Sequence, residues 1–213
     1  MMHDLIAWWF NHVADWSYLG VFLLMAMEST IVPLPSEVII PPAAYFISKG
    51  QMSFAGIVLA GTAGSFVGAM IMYAASRWLG RPIVVRFGRF VLITPEKLEK
   101  AERFLARYET GGVFFARLLP VIRHLIGIPA GLVRMKVGPY AAMTILGSAT
   151  WCAVLTWFGQ EILGAAPDLI NKPEAMLDAL KSKSHLVAIA VFGLLIAYIL
   201  VVRMTRKDEP AKA

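Results

Sequence analysis

The sequence predicts an all-α integral membrane protein made of two inverted units, each a re-entrant hairpin plus a transmembrane helix. A cytoplasmic amphipathic helix lies between the units, and a further transmembrane helix closes the chain. Three observations carry that expectation. Of 213 residues, 58% are hydrophobic and 16% charged, too little polar surface for a soluble domain of this size. Two apolar stretches are interrupted by prolines, and their arms are too short to cross a bilayer. Twelve of the 20 Lys and Arg lie between Arg77 and Lys136, and none precedes Lys49. Such clustering beside apolar spans marks the cytoplasmic side and its anionic lipids, so the net charge of +6 does not point to nucleic acid.

Residues 1–17 carry Trp8, Trp9 and Trp16, which suit the headgroup level, and read as an N-terminal interfacial helix. The alternative is the start of a full span running through Leu24. Without a basic n-region, this stretch does not read as a cleaved signal peptide. The membrane domain proper covers residues 18–165. From Tyr18 to Val32 the chain is apolar except for Glu28, and it then meets Pro33 and Pro35. That arm rises about 22 Å as a helix, short of the ~30 Å hydrocarbon core, and the arm from Val38 to Ser48 is shorter still. Residues 18–48 are therefore expected to form a re-entrant hairpin shaped by Pro33 and Pro35. Its tip must be buried in protein or wetted, because lipid does not tolerate irregular backbone.

Ser53 to Ser76 reads as a full span with Gly64-x-x-x-Gly68, a spacing that allows close helix approach. Packing within one chain is the expectation, and a homodimer is the alternative. Arg77, Arg81, Arg86 and Arg89 put the end of this span in the cytoplasm. Thr94-Pro95-Glu96 has the chemistry of a helix start and opens an amphipathic helix over 95–110, with Leu98, Ala101, Phe104, Leu105 and Tyr108 on one face. Gly111-Gly112 is expected to end it. Residues 113–133, broken by Pro120 and Pro129 and closing on Ala130-Gly131, read as a second re-entrant hairpin, open to the cytoplasm. Tyr140 to Phe158 then runs outward. Residues 166–213 supply an outer connector, a last span near 186–202 and a basic cytoplasmic tail. A hairpin plus one span crosses the membrane an odd number of times, so the second unit must be inverted.

Four ionisable residues stand inside the broken apolar stretches: Glu28 and Glu37 in the first, Arg117 and Arg123 in the second. An ionised side chain at the bilayer centre costs about 2.5–3.5 kcal/mol on insertion scales, so it normally faces protein, water or substrate. A guanidinium fork binds phosphate bidentately, which Lys does less well. The acids would compete with phosphate for the arginines, and protonation of one would free an arginine. Glu37, beside the Pro33–Pro35 turn, is expected nearest the hairpin tip and is the favoured proton carrier. The competing reading is a buried salt-bridge network that only pins the hairpins together. One cysteine, Cys152, and four scattered histidines make no metal-ligand set, and no cofactor is expected. There is no Gly-x-Ser-x-Gly or His-Glu-x-x-His, and Arg81-Pro82 only echoes a lipid phosphatase, so an enzyme is not expected.

Phe114-x-x-Arg117-x-x-Pro120-x-x-Arg123, followed by Ala130-Gly131, together with Glu28 and the Pro-rich turn ending in Glu37, resembles the DedA family of bacterial inner-membrane proteins. The resemblance covers roughly residues 15–165. It implies a multi-pass protein of the bacterial inner membrane, with two opposed re-entrant hairpins and ancestry shared with lipid scramblases of the VTT-domain type. It further implies translocation of a phosphate-bearing lipid, undecaprenyl phosphate or a phospholipid such as phosphatidylethanolamine, dependent on the proton motive force. Glu28 and Glu37 would be the essential, proton-coupling acids, and Arg117 and Arg123 the essential arginines that bind lipid phosphate. Pro33, Pro35, Pro120 and Gly131 would shape the hairpins. Some family members carry an Asp and a longer segment between the acids, which leaves the lipid open. A small-ion transporter or an envelope-integrity and assembly factor is the alternative, with a membrane lipid phosphatase behind both.

Overall fold

The computed structural model describes residues 16–30, 35–88, 95–163 and 193. The interfacial helix as far as residue 15, the turn containing Pro33, the outer connector and the C-terminal span lie outside the described residues. Among those described the chain is helical throughout, with no strand: α1 (Trp16–Glu28), α2 (Ser36–Ser48), α3 (Phe54–Gly88), α4 (Pro95–Arg117), α5 (Pro120–Leu125), α6 (Gly127–Leu132) and α7 (Val137–Leu163).

Two of these helices are long and apolar enough to cross a membrane, over Phe54–Val84 of α3 and Val137–Glu161 of α7. The shorter stretch, 25 residues, rises about 37 Å, more than the hydrocarbon core requires. Leu59 and Ile71 on α3 and Leu146 on α7 are more than half exposed, as lipid-facing side chains are. The two helices run antiparallel: a Cβ on Gly61 would meet Cys152, Ser65 meets Ser148, and Ala69 meets Tyr140.

Around this pair the other helices divide into two groups. Val21 and Met25 of α1, Ile39, Ile40, Ala43 and Phe46 of α2, and Ile57, Trp151 and Leu155 form one core at the start of α3 and the end of α7. A second core gathers Tyr73, Phe104, Leu105, Val113, Ala116, Ile126, Ala130 and Tyr140 toward the opposite ends. Glycines set how closely the helices approach. A Cβ on Gly64 would lie 2.1 Å from the Phe22 carbonyl oxygen, and one on Gly68 would lie 2.3 Å from that of Ala26. The Gly64-x-x-x-Gly68 face is therefore filled by α1 of the same chain. Gly64→Leu is expected to push α1 off α3 and lower stability by about 1–3 kcal/mol, the usual range for overpacking. A melting curve in detergent checks this, and an unchanged midpoint would mean the contact carries no weight.

α2 contains Pro41 and Pro42, each of which deletes a helical N–H. The helix persists because its apolar face packs on α7, where Gly159 makes room: a Cβ there would sit 2.6 Å from Pro41 Cα. α3 is broken at Gly80, which takes φ 74° just before Arg81-Pro82. A left-handed glycine that ends one helical segment, with proline opening the next, needs no Cβ to be moved aside.

α4 corrects one expectation. It does not stop at Gly111-Gly112 but runs on to Arg117. Two glycines cost helix propensity, roughly 1 kcal/mol each. Packing wins here: the buried stripe of Leu98, Phe104 and Leu105 continues through Gly112, Val113 and Ala116. The missing side chain at Gly112 is what admits Phe104, whose ring carbon a Cβ would approach to 2.9 Å.

Candidate functional site

The site forms where two helix ends meet between α3 and α7. Arg117 is the last residue of α4, where the negative end of the helix dipole favours a cation. Leu119 is extended (φ −104°, ψ 119°), the conformation a following proline imposes, and Pro120 then starts α5. That break lets Arg117 and Arg123 both turn inward, and each is 1% exposed. Opposite them is Glu28, at the end of α1, with 0% exposure.

Arg123 makes the central contact. Its Nε lies 3.3 Å from Glu28 Oε1, and its Nη2 donates to Oε2 at 3.4 Å. Nη1 donates to Ser36 Oγ at 3.1 Å, and the Trp151 indole N–H donates to the same oxygen, also at 3.1 Å. The guanidinium carbon stands 5.6 Å from the Trp151 ring centroid, within cation–π range. His124 Nδ1 sits 3.1 Å from the Glu28 carbonyl oxygen and 3.5 Å from Oε1.

Hydroxyls complete the carboxylate's surroundings. Ser29 Oγ donates to Glu28 Oε2 at 3.0 Å and lies 2.7 Å from Ser65 Oγ, which accepts from Ser148 at 3.3 Å. Each hydroxyl has one proton, so the chain is oriented: Ser148 to Ser65, Ser65 to Ser29, Ser29 to the acid.

Arg117 is held differently. Its Nη2 reaches Tyr140 Oη at 3.5 Å, and Tyr140 in turn donates to the Ala69 carbonyl at 3.2 Å. Nε and Nη1 are buried and have no hydrogen-bond partner among the described residues. Gly147 of α7 gives the arginine its place, since a Cβ there would lie 2.6 Å from Arg117 Cβ. One arginine is thus paired with an acid, while the other, with no carboxylate in ion-pair range among the described residues, keeps two nitrogens unpartnered.

Of the residues singled out from sequence, the structure brings Glu28, Arg117 and Arg123 together. It does not bring Glu37 with them. Glu37 is exposed on the first turn of α2, and among the described residues its hydrogen bond to the cluster is from Ser36 Oγ, which donates to Oε2 at 3.4 Å. Pro35 caps α2 in extended conformation and Pro120 sits at the start of α5. Gly131 marks a close approach of α6 to α3, since a Cβ would lie 2.4 Å from the Tyr73 carbonyl oxygen. Sequence reasoning missed Ser36, Trp151, Tyr140 and the Ser29–Ser65–Ser148 chain; a buried serine inside a span was the one available signal. Among the described residues no group of three or more His, Cys, Asp or Glu could hold a metal ion.

Ser36 is the acceptor that two buried donors share. Ser36→Ala should strand both, at about 1–3 kcal/mol per buried group, and lower the melting temperature accordingly. An unshifted melting curve would show that neither bond matters.

The VTT domain family matches residues 34–161. The chain is 35% identical over 161 residues to the uncharacterized membrane protein YkoX of Bacillus subtilis, covering 76% of this chain and 71% of the relative. It is 28% identical over 171 residues to undecaprenyl phosphate transporter A of the same organism, covering 80% and 82%. It is 31% identical over 186 residues to an alkaline phosphatase-like protein of Lactococcus lactis, covering 85% and 83%. No solved structure matches.

Proposed function

This chain belongs to the VTT-domain family, the DedA-type membrane proteins its arginine motif resembles, and from that premise we propose that it transports a phosphate-bearing lipid across the bacterial inner membrane. The observation that carries the reading is Arg117, a fully buried guanidinium with Nε and Nη1 unpartnered among the described residues. Such a cation is costly to bury and fits an anion that comes and goes. A relative bearing the name undecaprenyl phosphate transporter A supports a lipid phosphate as that anion. Undecaprenyl phosphate and a phospholipid such as phosphatidylethanolamine both carry the group.

In this reading the phosphate first engages Arg117. Protonation of Glu28 releases Arg123 from its ion pair, and the second guanidinium closes on the phosphate. Loss of the proton restores the Glu28–Arg123 pair and expels the headgroup. The serine chain ending on Glu28 can reverse its direction when the acid is protonated, so its hydrogen bonds need not be lost. Glu37, exposed and linked to Arg123 through Ser36, is the second acid of the cycle. The antiparallel α3–α7 pair, with α1–α2 at one end and α4–α6 at the other, supports two inverted units with re-entrant hairpins in a multi-pass chain.

The test is reconstitution into liposomes, measuring lipid-phosphate translocation with and without an imposed pH gradient. Translocation stimulated by the gradient is expected. Absence of translocation under both conditions would sink the transport reading. Release of inorganic phosphate from the lipid would instead favour a phosphatase, the activity suggested by the Lactococcus lactis relative's name.

A further inference from the structure

A second basic site lies at the far end of α3. Ser76, Arg77, Gly80, Arg81, Glu102, Leu132, Val133 and Arg134 line an open cavity of about 400 Å³. It is built by three separate elements: the break of α3 at Gly80, the turn after α6, and the amphipathic half of α4. Three arginines face one acid there. Arg81 is committed, pairing with Glu102 at 3.0 Å and Glu99 at 3.2 Å. Arg77 has no carboxylate partner among the described residues; its Nη1 donates to Tyr73 Oη at 2.7 Å and toward the Met135 carbonyl at 3.4 Å. Arg134 has no ion pair among the described residues and is held at φ 52°, a conformation that a residue with a Cβ rarely adopts.

This cavity is also joined to the buried site. Arg77 donates to Tyr73, whose ring stacks on that of Tyr140 with centroids 4.7 Å apart. Tyr140 is in turn the hydroxyl that accepts from Arg117. A continuous path of guanidinium, phenol, phenol and guanidinium therefore runs from the open cavity to the arginine with spare donors.

We propose that the Arg77–Arg81–Arg134 cavity is a docking site for a phosphate monoester headgroup, from which the anion passes to Arg117. The role as a way station rests on the transport reading above; the binding of phosphate at the cavity does not. Two arginines without carboxylates leave guanidinium donors for the phosphate oxygens, and Arg81, already paired, fixes the wall. An open cavity of this size takes a headgroup while a lipid tail stays in the bilayer.

The experiment uses the full chain in detergent with farnesyl phosphate as probe, and with farnesol and inorganic phosphate as separate arms. Arg117→Met disables the buried site's first phosphate ligand, so remaining binding that depends on Arg134 reports the cavity. In that background farnesyl phosphate should still bind. Adding Arg134→Glu should weaken it at least tenfold at low salt, without moving the melting temperature of the unliganded protein. Arg134→Lys, which keeps the charge, should retain most of it and serves as control should the glutamate variant prove unstable. Farnesol should not bind. Inorganic phosphate binding as tightly as farnesyl phosphate, with the same dependence on Arg134, would assign the cavity to the free anion. Loss of all binding in Arg117→Met alone, or equal binding with and without Arg134→Glu, overturns the docking site. Neither result touches the transport reading, which fails separately if the parent protein translocates no lipid in liposomes.

Discussion

Arg117→Met is expected to abolish lipid translocation while raising the melting temperature. The two effects have one cause. Arg117 is buried with two nitrogens unpartnered among the described residues, and methionine fills a comparable volume without an ion to desolvate. Exchanging a buried ionic group for a well-packed apolar one is often neutral or stabilising, by about 1–4 kcal/mol. The lost phosphate contacts work the other way. Two charge-assisted hydrogen bonds at about 1.5–3 kcal/mol each put the functional loss at a hundredfold or more. Arg117→Lys keeps the charge but not the fork and should recover little activity. Thermal melts and liposome transport on the same preparations decide the matter. A destabilised methionine variant, or a fully active lysine variant, would make Arg117 a structural pin rather than a phosphate ligand.

Glu28→Gln should do the opposite to stability. It leaves the Arg123 cation buried without its carboxylate, and breaking a buried pair costs about 3–5 kcal/mol. Glutamine can still accept one hydrogen bond, so the lower end is expected. Transport that survives should no longer respond to a pH gradient. Glu37→Gln, on an exposed side chain, should change stability by no more than about 0.5 kcal/mol. Removing both members of the pair, Glu28→Gln with Arg123→Met, should restore the melting temperature but not transport. Were Glu28→Gln to match the parent in both melting and gradient response, proton coupling through this acid would be wrong.

Much of the site was legible because an ion inside an apolar run has few places to go. Glu28, Arg117 and Arg123 could be placed together on that ground alone, and the two long spans followed from length and composition. Glu37 shows where such reasoning stops. It adjoins Ser36, and one residue along a helix is a turn of about 100°, so when Ser36 faces the arginine its neighbour faces away. Only the packing of α2 on α7 fixes which of the two points inward. The end of α4 was misjudged for a similar reason, since glycine propensity is local and the contacts of Val113 and Ala116 are not. Trp151 meets Ser36 across 115 residues of sequence and Tyr140 meets Arg117 across 23, distances no spacing rule spans.

The adjacent prolines of α2 carry a consequence for the surrounding lipid. Pro41 and Pro42 have no N–H to offer the carbonyls of Glu37 and Val38, one helical step earlier. In hydrocarbon a bare carbonyl costs several kcal/mol, which lipid cannot repay. In a bilayer those two carbonyls need another donor, from a neighbouring hydroxyl or from water beside the exposed Glu37 carboxylate. On the transport reading proposed above, a headgroup crossing beside α2 would meet a wetted stretch of helix, set by two imino acids rather than by any charged group.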